Sequence, residues 1–170
     1  MTRFETVRQA TVDAIKQAAF EAYQTIEKEA LVGFGICTDD DVDSVYHVYA
    51  TREWVSEREP DYAEIGLISV EWTQASEDTL FLSLSKLFRE WASSDENAPR
   101  PDYDVDRTKR FRALVEAMKE CRSEGLFDAR TLLSVSSTDP DGLMIKLACD
   151  AGRHLNTEEV AASYCKMMDC

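Results

Sequence analysis

Residues 33–54 read GFGICTDDDVDSVYHVYATREW, and the expected architecture is built around this segment. A β-rich apolar segment runs into a cluster of aspartates, and a second β-rich segment follows it. Aspartate side chains favour turns because they hydrogen-bond to nearby backbone groups. The pattern therefore predicts a β-hairpin with strands at 30–37 and 44–51. Its turn would carry four aspartates: Asp39, Asp40, Asp41 and Asp43.

Helical patterns lie on both sides of this hairpin. Apolar residues recur every three or four positions from residue 3 to 29, which predicts a long amphipathic N-terminal helix. Similar spacing predicts central helices at 52–60, from about residue 76 and at 106–123. A C-terminal helix is expected from about residue 157, with Asn156 as its cap.

A second hairpin is predicted around the segment Asp139-Pro140-Asp141-Gly142. Proline fixes φ at the second position of a turn, and glycine tolerates positive φ. The β-rich segments on either side, 131–137 and 143–149, would be its strands. Residues 62–72 have strand composition as well and predict one further strand.

Together these elements predict a single α+β domain over residues 1–170. Its antiparallel sheet would consist of the two β-hairpins plus the further strand. The sheet would pack against the long N-terminal helix, two or three central helices and the C-terminal helix. Residues 93–105 are polar, acidic and interrupted by two prolines, which predicts a surface loop.

The charge balance excludes some partners. The chain has 19 Lys and Arg residues against 33 Asp and Glu residues, a net charge of −14. Such a surface repels phosphate backbones and anionic lipid heads and attracts basic proteins. No basic stripe interleaved with aromatics occurs. We therefore expect no nucleic-acid partner. The negative charge either engages a basic protein, which is the favoured partner, or only keeps the protein soluble.

Other whole-chain features suggest a cytoplasmic protein. No apolar run reaches the roughly 18 residues that a membrane span needs. The five cysteines include no C-x-x-C pair, which favours free thiols in a reducing compartment. Nothing in the sequence indicates a cofactor.

The aspartate turn resembles a calcium loop only in part. Asp39, Asp41 and Asp43 have the one-three-five spacing of such a loop. The sixth position is Ser44 where glycine is needed, and the twelfth is Ala50 where a bidentate glutamate is needed. We therefore predict no metal site here, and interpret the turn as a solvated or partner-facing acidic loop.

A different chemistry would use the strands of the same hairpin. If Thr38 pairs with Ser44, then Cys37, His47 and Tyr49 lie on one face of the hairpin. A histidine near a cysteine is the minimal arrangement for an activated thiolate. This face is the alternative hypothesis, a small-molecule site or a thiol-dependent enzyme.

The hairpin also resembles a known family. The segment 33–41 (GFGICTDDD), the long helix expected before it and the segment 50–54 (ATREW) are similar to the family catalogued as domain of unknown function 4303. Members also carry a Glu-Trp pair, which Glu71 and Trp72 match. The resemblance implies no established activity and no catalytic residues. It suggests a bacterial cytoplasmic protein, similar to the small acidic immunity proteins that neutralise toxins.

The favoured hypothesis is therefore a non-enzymatic binding protein. Its acidic face would engage a basic partner, for which a toxin is one candidate. The candidate partner-binding residues are Asp39, Asp40, Asp41, Asp43, Glu71 and Trp72, with the acidic segment 95–106 beside them.

Overall fold

The computed structural model of the protein describes residues 1–57, 72–74, 79–93 and 100–168, and in this part of the chain helices surround one sheet. The helices are α1 Arg3–Ala22, α2 Arg52–Ser56, α3 Thr79–Ser93, α4 Arg100–Ser123, α5 Gly142–Leu155 and α6 Glu158–Met167. The strands are β1 Leu31–Thr38, β2 Val45–Thr51, β3 Thr73–Gln74 and β4 Leu132–Ser137.

The strands form a mixed sheet in the order β3-β2-β1-β4. Strands β1 and β2 pair antiparallel, which confirms the first hairpin. Strand β4 pairs with β1 in parallel. The predicted α+β class is confirmed, but the sheet is not the purely antiparallel one that two hairpins would have built.

The predicted second hairpin is wrong, because residues 143–149 lie in α5 and not in a strand. The Asp141 carboxylate accepts a hydrogen bond from the Met144 amide at 2.9 Å, so Asp141 is a helix N-cap rather than a turn residue. The buried side chains of α5 have helical spacing: Met144, Ala148, Cys149, Ala151 and Leu155.

Three helix boundaries differ from the prediction, and one of them is that α2, expected over 52–60, ends at Ser56. Helix α1 ends at Ala22, and a 3₁₀ turn at Lys28–Ala30 leads into β1. Helix α4 begins at Arg100, so residues 100–105 of the expected acidic loop are helical. Of the predicted strand at 62–72, residues 62–71 lie outside the described residues, and Trp72 directly precedes β3.

Side chains from the helices cover both faces of the sheet. On one face, Phe34 and Ile36 of β1 pack into a large core with α1, α3, α4 and α5. On the other face, a smaller core contains Trp72, which precedes β3, and Tyr164 of α6. Gly33 is required there, because a Cβ at this position would lie 2.6 Å from the Trp72 ring.

Asn156 has a role that differs from the predicted helix cap. The N-cap of α6 is Thr157, and its side chain makes no capping hydrogen bond. The Asn156 side chain instead accepts from the Leu133 amide and donates to the Leu133 carbonyl, both at 2.8 Å. It also donates to the Gly152 carbonyl at 3.0 Å. A side-chain amide thus occupies the place of a neighbouring strand beside β4.

We predict that Asn156→Ala lowers the free energy of unfolding by about 2 kcal/mol, because it leaves the backbone groups of buried Leu133 without partners. Urea unfolding followed by circular dichroism measures the change. Thr157→Ala is the matched control next to it, with an expected change within about 0.5 kcal/mol. Equal losses in the two variants would contradict this role for Asn156.

Candidate functional site

The candidate site lies where β1 and β4 end side by side. Because these strands are parallel, their carboxyl ends meet at the same edge of the sheet. The β1–β2 turn follows β1 there, α5 begins there, and α4 contacts both through its first turns. We call this the acidic edge and define it by its carboxylates: Asp39, Asp40, Asp41, Asp43, Asp104, Asp139 and Asp141.

The first aspartate of the turn holds the backbone. Asp39 Oδ1 accepts hydrogen bonds from the amides of Asp43 at 2.9 Å and Ser44 at 3.4 Å. The Thr38 hydroxyl donates to the Ser44 carbonyl at 2.7 Å. Inside this loop Val42 has a φ of +54° and a fully buried side chain. Asp39 therefore stabilises an unusual local backbone.

The next two aspartates connect the turn to other elements. Asp40 accepts a hydrogen bond from the Ser137 hydroxyl of β4 at 2.9 Å. Asp41 accepts one from the Tyr103 hydroxyl of α4. Asp40 is half-buried, whereas Asp41 is exposed. The turn is thus a tied part of the structure and not a free loop.

Arg107 of α4 joins three parts of the acidic edge. Its guanidinium donates to the Asp40 carbonyl at 3.1 Å, to the Asp141 carboxylate at 2.7 Å and to the Asp104 carboxylate at 3.2 Å. Only 5% of Arg107 is exposed. A buried guanidinium needs several acceptors, and the turn and the α5 N-terminus supply them.

Arg110, one helical turn further along α4, is completely buried. It donates to the Asp41 carbonyl at 2.8 Å. Both arginines thus bind backbone carbonyls of the turn. They place two positive charges on its inner side and leave carboxylates on its outer side.

The carboxylates of the acidic edge differ in how well nearby groups stabilise their negative charge. The pKa of Asp43 is raised to about 6, first because the carboxyl is partly buried and then because Asp39 and Asp41 lie close to it. Arg89 of α3 opposes this shift only in part. Asp43 therefore lies in a local excess of negative charge.

Asp141 shows the opposite effect. The Met144 amide and then the Arg107 guanidinium hold the pKa of the Asp141 carboxyl below its usual range. The acidic edge thus combines a carboxylate satisfied by its partners with a crowded one at Asp43.

The alternative site of Cys37, His47 and Tyr49 is not assembled. Thr38 pairs with Val45 and not with Ser44, so Cys37 lies opposite Tyr46. Because side chains alternate along a strand, this one-residue difference puts Cys37 on one face of the sheet and His47 and Tyr49 on the other. The expectation that they share a face is wrong.

The surroundings of these residues agree with two separate buried positions. The His47 ring, 3% exposed, stacks on Phe34 with ring centroids 5.7 Å apart and lies 4.9 Å from Phe81. Cys37 is fully buried, with its sulfur 3.8 Å from the Ser136 hydroxyl. His47 therefore packs against residues of the large core, and Cys37 packs in the smaller core.

The other cysteines only partly follow the expectation of free thiols. Cys37, Cys121 and Cys165 are free and buried. Burial raises the pKa of the Cys121 thiol to about 12, which disfavours the thiolate. Cys149 is disulfide-bonded, so the expectation is wrong for this residue.

Of the remaining predicted binding residues, the structure describes Trp72 and part of the acidic segment 95–106. Trp72 is 4% exposed and packs on Gly33, so its side chain belongs to the core and not to an exposed partner surface. Glu71 and residues 95–99 lie outside the described part of the chain. Of the predicted loop, Asp104 joins the acidic edge, and Asp106 pairs with Lys109 at 2.6 Å.

Sequence reasoning missed the basic half of the site. Arg107 and Arg110 continue the buried stripe of α4 that Phe111 and Leu114 define, at the spacing of three and four. Arginines in such a stripe predict buried cations that need acceptors. That signal predicts acceptors beside α4, but it does not identify the β1–β2 turn as the element that supplies them.

The arrangement offers carboxylates to a positively charged group, while the carbonyls of Asp40 and Asp41 are bound by the two arginines. Within residues 1–57, 72–74, 79–93 and 100–168, no group of three or more His, Cys, Asp or Glu side chains is placed to hold a metal ion. The same residues include no helix long and apolar enough to cross a membrane.

Fold and site together define an acidic α+β protein with a mixed sheet, whose aspartate turn is held from inside by two arginines. The chain belongs to the family described as a domain of unknown function (DUF4303), which matches residues 5–157. The family suggested by the hairpin segment is thereby confirmed. The chain matches no curated protein and no solved structure.

We predict that Asp43→Asn stabilises the protein in a pH-dependent way. Because the folded-state pKa of Asp43 is raised to about 6, the wild type loses stability as the pH rises from about 4 to about 6. The variant lacks this loss, so its advantage grows over that range and is constant above it. Urea unfolding at a series of pH values measures it.

Asp141→Asn provides the contrast, because the pKa of Asp141 is lowered in the folded protein. Its deficit relative to the wild type should grow as the pH rises through the usual range of a carboxyl and then remain constant. An Asp43→Asn advantage that does not change with pH would contradict the crowding of Asp43.

Proposed function

We propose that the protein is a cytoplasmic, non-enzymatic binding module that engages a basic protein through the acidic edge. The proposed mode of action is that of a small acidic immunity protein, which covers the basic surface of a toxin. The observation that carries the proposal is the surplus of carboxylates at the acidic edge over the buried Arg107 and Arg110.

The state of Asp43 supports a cationic partner. A carboxyl with a raised pKa ionises fully when a lysine or arginine approaches it, because the new charge offsets Asp39 and Asp41. Binding would then release a proton near pH 6. The affinity would rise between pH 5 and pH 7, which is a signature of this site.

The net charge supports fast encounter. At −14 the protein attracts a basic partner over distances comparable to the Debye length, about 8 Å at physiological ionic strength. Such steering raises the association rate constant and makes it salt-sensitive.

The carboxylates of the acidic edge divide into two groups. Asp39 and Asp40 accept hydrogen bonds that hold the turn, so their substitution would disturb the fold as well as the charge. Asp41 and Asp139 are exposed and Asp43 is half-buried, so these three are the appropriate residues for a binding test. An asparagine at position 41 still has a side-chain oxygen that accepts from the Tyr103 hydroxyl. The thiol hypothesis is not carried forward, since Cys37 and His47 lie on opposite faces of the sheet.

The test compares two triple variants that remove equal charge. One is Asp41→Asn with Asp43→Asn and Asp139→Asn, at the acidic edge. The control is Glu53→Gln with Glu116→Gln and Glu159→Gln, all exposed and outside that edge. Immobilised wild type and both variants are incubated at low salt with an extract of the source organism, and the retained proteins are identified.

We predict that a basic protein is retained by the wild type and by the control triple variant. With that protein purified, the edge variant should bind at least about tenfold more slowly, and the difference should shrink at high salt. Equal association rates for the two triple variants would contradict the role of the acidic edge. Retention of no basic protein would contradict the proposed function itself.

A further inference from the structure

A groove runs between α1 and α3, with a volume of about 620 Å³. Its lining is mixed: Ala10 and Ala14 on α1 and three leucines on α3 are apolar, whereas the other lining residues are polar or charged, namely Asp13, Gln17, Glu21, Thr79 and Ser83. Leu84 is buried at its base, and Leu80 is 39% exposed. The groove contains none of the aspartates of the acidic edge.

The length of the groove matches a helix. Its lining on α1 runs from Ala10 to Glu21, which corresponds to about 16 Å at a rise of 1.5 Å per residue. An amphipathic helix of about three turns presents an apolar stripe of this length. A groove between two helices is a recurring place for such a helix to bind.

The charges on the rim select the sign of the occupant. Asp13 and Glu21 are exposed and line the groove on its α1 side. Their side-chain partners within the described residues are neutral amides, Gln9 for Asp13 at 3.1 Å and Gln17 for Glu21 at 2.7 Å. Two exposed carboxylates that form no ion pair within the described residues, beside a groove lined partly by leucines, complement an occupant that carries lysine or arginine beside its apolar stripe.

The same charges disfavour a second copy of this chain. A copy would bring the same two carboxylates to the groove, and each chain carries a net charge of −14. An occupant that fits the groove should therefore also carry positive charge opposite these carboxylates.

We propose that the α1–α3 groove is a docking site for a basic amphipathic helix of a partner protein. This inference rests on the proposed function in that the partner is basic, and it adds a second surface with a defined kind of ligand. The acidic edge steers the encounter, and the groove provides apolar contact area.

Two serines provide a matched pair of variants. Ser83 lines the groove, and its hydroxyl donates to the Thr79 carbonyl at 3.0 Å. Ser163 of α6 is also exposed and donates in the same way to the Glu159 carbonyl at 3.2 Å. Ser83→Lys places a bulky positive charge in the groove, and Ser163→Lys adds the same charge elsewhere.

The probe is a synthetic 14-residue helical peptide with leucines along one face and lysines beside them. Isothermal titration calorimetry measures its affinity, and amide chemical shifts locate its site. The peptide should bind the wild type and Ser163→Lys, with shifts on α1 and α3, and should bind Ser83→Lys at least about tenfold more weakly. The double variant Asp13→Asn with Glu21→Gln should weaken it about three- to tenfold.

Several results would overturn the inference. These are equal affinity for Ser83→Lys and Ser163→Lys, equal binding of a peptide with glutamates in place of the lysines, or dimerisation of the wild type that Ser83→Lys abolishes. The proposed function is judged separately. If the basic protein retained from the extract binds Ser83→Lys normally but not the edge variant, the groove inference fails and the proposed function stands. If no basic protein is retained, the proposed function fails, and the peptide titration still decides the groove.

Discussion

Two guanidinium groups under the β1–β2 turn are the interaction on which the acidic edge depends. Arg107 and Arg110 of α4 are buried and donate to the carbonyls of Asp40 and Asp41. A buried cation without acceptors costs several kcal/mol, and a cluster of aspartates without a cation repels itself. The turn thus lowers the cost of burying the arginines, and the arginines lower the repulsion between the aspartates. The contact also connects α4 to the turn. Through Asp141 the same contact reaches the start of α5.

This arrangement separates two uses of the same residue type. Asp39 and Asp40 use their carboxylates to hold backbone and side-chain donors, whereas the exposed carboxylate of Asp41 and the crowded one of Asp43 remain on the outer side. The arginines lie on the inner side and neutralise only part of the charge. A turn held in place with outward negative charge is suited to recognition of a basic surface, because little conformational entropy is lost on binding.

The sequence predicted those elements whose signal is local. The helical period of α1 and α4 and the β-rich segments of the first hairpin are such signals. Asp141-Gly142 is compatible with both a turn and a helix N-cap, and only the helical spacing of Met144, Ala148 and Ala151 favours the helix that forms. The site required long-range information, because Arg107 and Arg110 bind carbonyls 67 and 69 residues away in the chain. The prediction of the alternative thiol site was wrong because the strand register differs by one residue from the expected one. The turn around Val42 determines this register.

The most direct test of the central claim compares Arg107→Met with Arg112→Met, an exposed arginine on the same helix. The measurement is the free energy of unfolding together with hydrogen exchange of the Asp43 and Ser44 amides, which Asp39 holds. Arg107→Met should lower the free energy of unfolding by about 2 kcal/mol and expose both amides to faster exchange. Arg112→Met should change stability by less than about 0.5 kcal/mol and leave the exchange unaltered. Equal behaviour of the two variants would contradict the dependence of the acidic edge on its buried arginines.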